Sequence, residues 1–270
     1  DTGVISSVLV GIHKSLGHPL STWEKSLITS VTALSALIVS PLSGLLADTF
    51  GRKMVILLTD FVFILGVLTQ ALTSSVGGMT VGRFIVGLAI GTGSFVAPLY
   101  ITELSPSPFR GRLVIIYVLF ITIGQVLAFL VGWIFVELNN SATGWRWVVG
   151  LGALPALAQG LIMVAMPETP RWLVMKKRGQ KARKILLRIF GENTDTSCVA
   201  DRVLRGIEAE AREKEAAERS ILALSEMKIR GTSGLFGAKA TWSELINRDG
   251  NRRALTIACL LQGLQQLCGI

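Results

Sequence analysis

Long apolar segments separated by short polar ones form the main pattern of this chain. Five segments are apolar over the 20 or so residues that a helix needs to cross a bilayer. They cover roughly residues 26–47, 54–74, 79–101, 113–136 and 147–166. A sixth apolar segment begins near residue 254, and residues 1–12 resemble the end of another span. The pattern predicts an all-α integral membrane protein, and we expect the chain to be a fragment that is open at both ends.

Composition agrees with a membrane protein. Half of the 270 residues are hydrophobic and 17% are charged, whereas soluble domains carry about a quarter charged residues. Such a chain is too apolar for a soluble globule and too apolar for disorder. Three cysteines and two histidines show no disulfide set and no metal-ligand spacing. We therefore expect no metal and no cofactor.

The distribution of charge predicts the topology. The chain has a net charge of +9, and residues 167–253 hold 19 of its 27 Lys and Arg together with 12 of its 18 Asp and Glu. This mixed segment does not resemble a nucleic-acid surface, so no nucleic-acid partner is expected. Because basic loops stay in the cytosol, residues 48–53, 102–112 and 167–253 are predicted to be cytosolic. The sequon at Asn139 falls outside, and its glycosylation is left open.

The long polar segment is predicted to be a helical linker. Thr169 and Pro170 resemble a helix start, and residues 179–190 and 201–225 have helical patterns. No phosphate loop, nucleophile motif or catalytic carboxylate pair is visible, so we do not expect an enzyme. The predicted domains are a transmembrane bundle at 1–166, the linker at 167–253, and the start of a further bundle at 254–270.

Charged residues inside apolar segments are costly and mark functional candidates. Asp1, Asp60 and Arg83 are the three such positions. Asp60 lies near the cytosolic end of its segment and can reach polar surroundings there. Arg83 either extends outward to the membrane surface or pairs with a carboxylate, for which Asp1 is the best candidate. Burial and a neighbouring arginine act in opposite directions on the pKa of an aspartate. Such an aspartate can change its protonation state when its surroundings change, so the pair suits a proton carrier.

The segment that carries Arg83 also carries a stripe of small residues. Gly87 and Gly91 are followed by Ser94 and Pro98 at helical spacing. Small residues let a neighbouring helix approach closely. We expect this segment to pack tightly in the bundle.

Amide side chains form a second group of candidates. Gln262, Gln265 and Gln266 share one face of the last segment, and Thr122 and Gln125 share a face of an earlier one. Amides donate and accept hydrogen bonds, as hydroxyl groups do. They therefore suit a neutral, hydroxyl-rich ligand, although hydrogen bonding between helices is the alternative.

Five short motifs occur in order along the chain. They are DTGVIS at 1–6, GLLADTFGRK at 44–53, GRFIVGLAIGTGSFVAPLYITELSPSPFRGR at 82–112, PETPRW at 167–172 and QQLCGI at 265–270. Together they resemble the signatures of the sugar porter branch of the major facilitator superfamily. Within that branch the chain resembles fungal myo-inositol transporters in particular, through DTGVISSVLV at 1–10, EKSLITSVTALSALI at 24–38, GLLADTFGRK at 44–53 and GWRWVVGLGALPALAQ at 144–159, which is followed by ETPRW.

The resemblance implies the N-terminal half of a twelve-helix major facilitator fold with a cytosolic helical linker. It implies proton-coupled symport of myo-inositol or a related sugar or polyol across the plasma membrane, by alternating access and without a cofactor. Rival functions are a hexose transporter, proton-coupled or facilitative, a sugar sensor and a membrane-anchored scaffold. Partners are then a small neutral polyol or sugar and the bilayer, with the oligomeric state open.

The same resemblance assigns roles to matching positions. Asp1 and Arg83 would be the proton-coupling pair, and Gln125, Gln265 and Gln266 would contact substrate hydroxyls. A cytosolic gate that closes the inner side would use Gly44, Asp48, Gly51, Arg52, Glu103, Arg110, Glu168 and Arg171.

Overall fold

The computed structural model describes residues 21–106, 108–138, 144–190 and 194–229, together with Thr256 and Leu260. Within these ranges the chain forms helices and no strand. In chain order the helices are α1 (Thr22–Phe50), α2 (Arg52–Leu72), α3 (Val76–Leu104), α4 (Arg110–Leu138), α5 (Gly144–Leu151), α6 (Ala153–Ala165), α7 (Pro170–Met175), α8 (Gly179–Phe190) and α9 (Thr194–Ile229).

The five predicted spans are confirmed as helices long and apolar enough to cross a membrane. The first four are single helices; three of them extend a few residues beyond the predicted bounds at both ends, and the second begins two residues earlier and ends two residues earlier than predicted. The fifth is divided into α5 and α6 by a turn around Gly152. Pro155 lies in the first turn of α6 and lacks the backbone N–H that would continue the hydrogen bonding of α5. The interruption therefore follows from the sequence around Pro155.

Helix α3 packs closely against both α1 and α2. A Cβ built at Gly87 would clash with the backbone oxygen of Thr32 and with Ser35 on α1. One built at Gly91 would lie 2.7 Å from the Cα of Ala36. The predicted close approach along this stripe is thus confirmed at both glycines, and the neighbouring helix is α1.

Two apolar clusters hold the bundle together. One contains Ile28, Val67, Met79 and Val86 from α1 to α3, with Trp145 from α5. The other lies toward the opposite end of α3 and contains residues of α1, α2, α3 and α6, namely Ala47, Val55, Ile56, Val96, Tyr100 and Met163. Helix α4 contributes little to this core, because none of its most apolar stretch is buried within the chain.

Contacts at the two ends show that α1, α3 and the last span, α5 with α6, run in one direction, and that α2 runs in the opposite one. At one end, the Arg52 side chain contacts Glu103 at the end of α3, and its backbone contacts Glu168 beyond α6. We call this the Arg52 end of the bundle. At the other end, the Arg146 guanidinium at the start of α5 donates to the carbonyl oxygen of Thr73 after α2. The sequence predicts that segments 48–53, 102–112 and 167–253 lie on one side of the membrane. Residues from all three segments therefore meet at one end of the bundle.

The linker is helical in its described part, as predicted. Helix α7 begins at Pro170 with Thr169 as its N-cap, although the Thr169 side chain makes no capping hydrogen bond. Helix α8 covers the predicted 179–190, whereas α9 begins and ends beyond the predicted 201–225.

The chain separates into two compact units. The first, Asp1–Ala211, contains α1 to α8 and the first part of α9. The second, Arg212–Ile270, contains the remainder of α9. The domain boundaries drawn from the sequence stay a prediction.

Candidate functional site

Gly51 makes the sharp connection between α1 and α2 at the Arg52 end. It is at once the C-cap of α1 and the N-cap of α2, with φ of 100°. Side chains disfavour this region of backbone space, which glycine tolerates. A Cβ at this position would also lie 2.5 Å from Oε2 of Glu168 and 3.2 Å from Cε2 of Trp172. Glycine is therefore required here both by conformation and by space.

The carboxylate of Glu168 caps the start of α2. Its Oε1 accepts the backbone N–H of Arg52 at 3.1 Å and that of Lys53 at 3.2 Å. The same oxygen accepts the N–H of Thr169 at 3.0 Å. The first N–H groups of a helix have no partner inside the helix, and negative charge is favourable there. Glu168 thus supplies, from a distant part of the chain, the cap that Gly51 lacks.

Arg52 lies buried at the centre of the same cluster. Its guanidinium nitrogens lie 3.0 Å from the carboxylate of Glu103 and 2.9 Å from Oδ1 of Asp48. It also donates to the carbonyl oxygen of Ala47 at 3.2 Å. The Arg52 and Glu103 side chains are each 5% exposed, whereas Asp48 is 41% exposed. The positive charge is thus matched by one buried and one accessible carboxylate.

Three further hydrogen bonds fasten α6 and α7 to this end. The Trp172 indole donates to the carbonyl oxygen of Asp48 at 3.1 Å. The Tyr100 hydroxyl donates to the carbonyl oxygen of Pro167 at 2.6 Å. The Lys53 ammonium donates to the carbonyl oxygen of Val164 at 2.8 Å. Sequence reasoning missed these three side chains, although Trp172 lies within PETPRW, where a search for a buried N–H donor would have found it.

The remaining gate candidates lie apart from this cluster. Arg171 pairs with Glu210 of α9 at 2.9 Å, and both side chains are more than half exposed. Arg110 is exposed at the first residue of α4. Gly44 lies within α1, where an added Cβ would meet the Phe95 ring at 3.6 Å. The structure therefore joins Asp48, Arg52, Glu103 and Glu168 with Gly51, and leaves Arg110, Arg171 and Gly44 outside.

Arg83 lies inside the bundle. It is 2% exposed within α3, so its side chain is surrounded by protein. The preceding residue, Gly82, packs against α2, since a Cβ there would lie 2.5 Å from Cγ of Gln70 and 3.1 Å from the carbonyl oxygen of Gly66. Asp1 lies outside the described residues. The pairing of Asp1 with Arg83 stays a prediction.

The amide candidates are described only in part. Gln125 is exposed on α4, one turn from Thr122, whose hydroxyl donates to the carbonyl oxygen of Val118. Gln262, Gln265 and Gln266 lie outside the described residues, as does Asn139. The structure adds a buried amide that the sequence analysis did not single out, Gln70 on α2, which is 2% exposed.

Asp60 lies at the contact of α2 with α6. It is 7% exposed, and a Cβ built at Gly160 would lie 3.7 Å from its Oδ2. Its carboxylate is therefore enclosed by protein at this contact. No cluster of three or more metal-ligand side chains occurs among the residues that were placed.

Sequence comparison finds a family and close relatives over the full chain. Residues 1–270 match the family described as "Sugar (and other) transporter". The chain is 41% identical to myo-inositol transporter 1 of Cryptococcus neoformans var. grubii and 40% identical to myo-inositol transporter 2 of Schizosaccharomyces pombe. Both alignments cover all of this chain and only 44% and 45% of the relatives. The chain thus spans less than half the length of these relatives.

Comparison of structures finds the same fold. The proton:xylose symporter XylE, bound to 6-bromo-6-deoxy-D-glucose, matches with a TM-score of 0.71 at 22% identity, over 83% of this chain and 51% of XylE. A partially occluded, inward-open form of XylE from E. coli matches with a TM-score of 0.65 at 20% identity, over 83% of this chain and 60% of that one. The predicted fold, the N-terminal half of a major facilitator protein, is confirmed. With five helices long and apolar enough to cross a membrane and a family match over residues 1–270, the chain belongs to the sugar transporter family.

Proposed function

We propose that this chain is the N-terminal half of a proton-coupled symporter for myo-inositol or a closely related polyol, which works by alternating access. The substrate class is suggested by relatives named as myo-inositol transporters at 35–41% identity over the whole chain. A solved relative of the same fold is described as a proton:xylose symporter, which supports a hydroxyl-rich substrate and a coupled proton.

The observation that carries the proposal is the burial of Arg83. A guanidinium enclosed in a membrane-spanning helix is costly unless a function retains it, and Arg83 is 2% exposed within α3. In our proposal Arg83 controls whether the carboxyl group of Asp1 binds a proton. Proton binding on one side and release on the other would then drive uptake of the polyol against its gradient.

Substrate contacts are proposed for the amides. Gln125 lies on α4, the helix whose most apolar stretch is not buried by the rest of this chain. An exposed amide on such a helix can face a cavity between two bundles, where Gln265 and Gln266 would complete the site. These groups would exchange hydrogen bonds with substrate hydroxyls.

The cluster at the Arg52 end is proposed as half of the inner gate. Charge pairs that link separate helices favour one conformation, and their rupture permits another. Arg52 links α1, α2 and α3 through Asp48 and Glu103, and Glu168 ties the start of α2 to the segment before α7. Arg110 and Arg171 remain exposed and would engage the second half of the transporter. We propose that this end faces the cytosol of a cell whose plasma membrane holds the transporter.

Uptake of labelled myo-inositol by the full-length protein tests the proposal, in cells that lack their own transporters. We expect accumulation above the external concentration, which a protonophore abolishes, and weaker uptake of glucose and xylose. The Asp1→Asn variant should lose accumulation and retain exchange of internal for external substrate.

The matched control is Asp60→Asn, which removes the aspartate that is buried within α2. It should accumulate substrate normally. Accumulation that persists in Asp1→Asn would overturn the coupling role of Asp1. Equal uptake of glucose and myo-inositol would overturn the substrate assignment in favour of a general hexose carrier.

A further inference from the structure

A run of basic residues follows the last complete span of the chain. Residues 169–191 contain eight Lys and Arg and no Asp or Glu. The basic residues of this run within α7, α8 and the turn between them all have exposed side chains. They are Arg171, Lys176, Lys177, Arg178, Lys181, Arg183, Lys184 and Arg188. This positive surface is not used by any part of the proposed transport mechanism except Arg171.

Three of these basic residues align on one face of helix α8. Ala182 and Leu186 are buried and define the face that packs on the protein. On the opposite face, Lys181, Lys184 and Arg188 follow one another at spacings of three and four residues, so their side chains align. We call these three residues the α8 basic stripe.

Two acidic residues of α9 pair with arginines that lie outside this stripe. Asp201 accepts hydrogen bonds from Arg183 at 2.7 and 3.2 Å. Glu210 pairs with Arg171. In the described part of the chain, no member of the α8 basic stripe forms an ion pair. Among the described residues, the positive charge of the stripe is thus not matched by a direct ion pair.

The attachment of α7 keeps this charge near the ends of the spans. Helix α6 ends at Ala165, and α7 begins five residues later, at Pro170. Trp172 is hydrogen-bonded to the backbone of Asp48 near the end of α1, and Leu173 is buried. A turn of three basic residues then leads into α8. The position of the run is therefore set by the bundle and not by a long flexible tether.

We propose that the α8 basic stripe, with Lys176–Arg178 beside it, binds the headgroups of anionic phospholipids in the leaflet at the Arg52 end. Lys and Arg clusters next to a membrane span attract anionic headgroups, and arginine can hold a phosphate group through two hydrogen bonds. Phospholipid is favoured over an acidic protein because the leaflet is always present beside the end of α6. The proposal rests on the topology proposed above, in which this end is cytosolic, and goes beyond the transport function.

Spin-labelled lipids test this interaction on the full-length transporter. The protein is reconstituted in phosphatidylcholine bilayers, and electron paramagnetic resonance measures how strongly labelled phosphatidylserine is preferred over labelled phosphatidylcholine at the protein surface. We expect preference for phosphatidylserine in the wild type. The triple variant Lys181→Gln, Lys184→Gln, Arg188→Gln should reduce this preference at least about five-fold. A change of about five-fold is the effect of a single basic group beside an anionic surface, and the variant removes three.

The matched control removes three exposed arginines of α9, as Arg202→Gln, Arg212→Gln and Arg219→Gln. It has the same change in net charge and should keep the preference. Salt at about 0.5 M should weaken the wild-type preference, since screening shortens the reach of the charges. Equal association of both lipids with the wild type, or equal losses in the two triple variants, would overturn the proposal. Loss of the preference on adding inorganic phosphate alone would assign the stripe to free anions instead.

Discussion

The carboxylate of Glu168 accepts the backbone N–H of Arg52 at 3.1 Å, although 116 residues separate the two positions. This contact joins the turn after α1 to the segment between α6 and α7. It also places a negative charge at the start of α2, where unpaired N–H groups and the helix dipole favour it. The two motifs that the sequence suggested as parts of one gate therefore meet through side chains of PETPRW that bind backbone groups of residues 48–53.

Removal of the Glu168 charge should weaken the Arg52 end. Glu168→Gln keeps an oxygen that can accept a hydrogen bond, so we expect a loss of about 1 kcal/mol in the free energy of unfolding. Glu168→Ala removes the acceptor entirely and should cost about 2 kcal/mol. Thermal unfolding of the purified full-length protein in detergent measures both. Glu210→Gln, at an exposed carboxylate, is the control, and an equal loss there would contradict the capping role.

Substitution of Gly51 should be costly for two reasons. Its φ of 100° and ψ of 154° lie in a region of backbone space that essentially only glycine occupies, and a Cβ would lie 2.5 Å from Oε2 of Glu168. We expect Gly51→Ala to destabilise the protein by about 1–3 kcal/mol. Gly111→Ala is the matched control, because a Cβ there meets nothing within 4 Å. Unfolding midpoints that shift equally in the two variants would refute this.

The buried pair of Arg52 and Glu103 should matter far more than the exposed pair of Arg171 and Glu210. Glu103→Gln leaves a buried guanidinium with only Asp48 to balance it, and loss of one partner of a buried pair costs about 3–5 kcal/mol. Arg171→Gln breaks a pair that water already screens and should cost under about 1 kcal/mol. The quantity to compare is the unfolding midpoint of each variant. A larger effect at Arg171 would show that the cluster at Arg52 is not the main contact at this end.

Close packing of α1 on α3 predicts that an alanine substitution destabilises the protein at Gly87 but not at Gly124. Gly87→Ala would drive a methyl group into the backbone oxygen of Thr32, and overpacking of this kind costs about 1–3 kcal/mol. Gly124→Ala, on α4, has open space around the added carbon and should change stability little. The yield of folded full-length protein after detergent extraction, followed by its unfolding midpoint, distinguishes the two. Comparable behaviour of both variants would exclude a tight helix contact at Gly87.

The contact of α8 with α9 should weaken at acidic pH. The hydrogen bond from Arg183 and its charge lower the pKa of Asp201 below its ordinary value. Folding therefore favours the ionised form, and the stabilisation is complete above the ordinary value of about 3.9. It is lost as the pH falls below that value and through the lowered pKa. The contact should be unchanged between pH 7 and about pH 5 and should loosen only below this range.

Pulsed electron paramagnetic resonance between spin labels at Gln180 and Arg202 measures this loosening, in a cysteine-free background. We expect the distance distribution to broaden near pH 3. Arg183→Gln should broaden it already at pH 7. A distribution that stays narrow in both cases would show that packing alone holds α9 against α8.

Much of the architecture could be predicted because lipid imposes a simple rule on sequence. A helix that crosses the hydrocarbon needs about 20 apolar residues, so the runs at 26–47 or 113–136 appear directly in the sequence. The amphipathic pattern at 179–190 is equally local, and α8 covers that range. The break at Gly152 was missed because hydropathy averages over a window and does not detect the missing N–H of Pro155.

The site was harder to predict because its contacts are not local. The motifs indicated that Arg52, Glu103 and Glu168 act together, but they did not indicate that Glu168 would bind backbone N–H groups. Trp172 and Tyr100 bind carbonyl oxygens, which no residue pattern identifies. Arg171 was grouped with this cluster by its motif, whereas the structure pairs it with Glu210 of α9.

The positions of the five spans, the end at which the charged loops meet and the family of the chain can be predicted from the amino-acid order, since each is encoded in hydropathy, local charge or a contiguous motif. The carboxylates that pair with Arg52, the capping of α2 and the enclosure of Arg83 became known only from the packed helices. Those outcomes depend on distances between residues up to 116 positions apart, which are set when helices pack and not by neighbours along the chain.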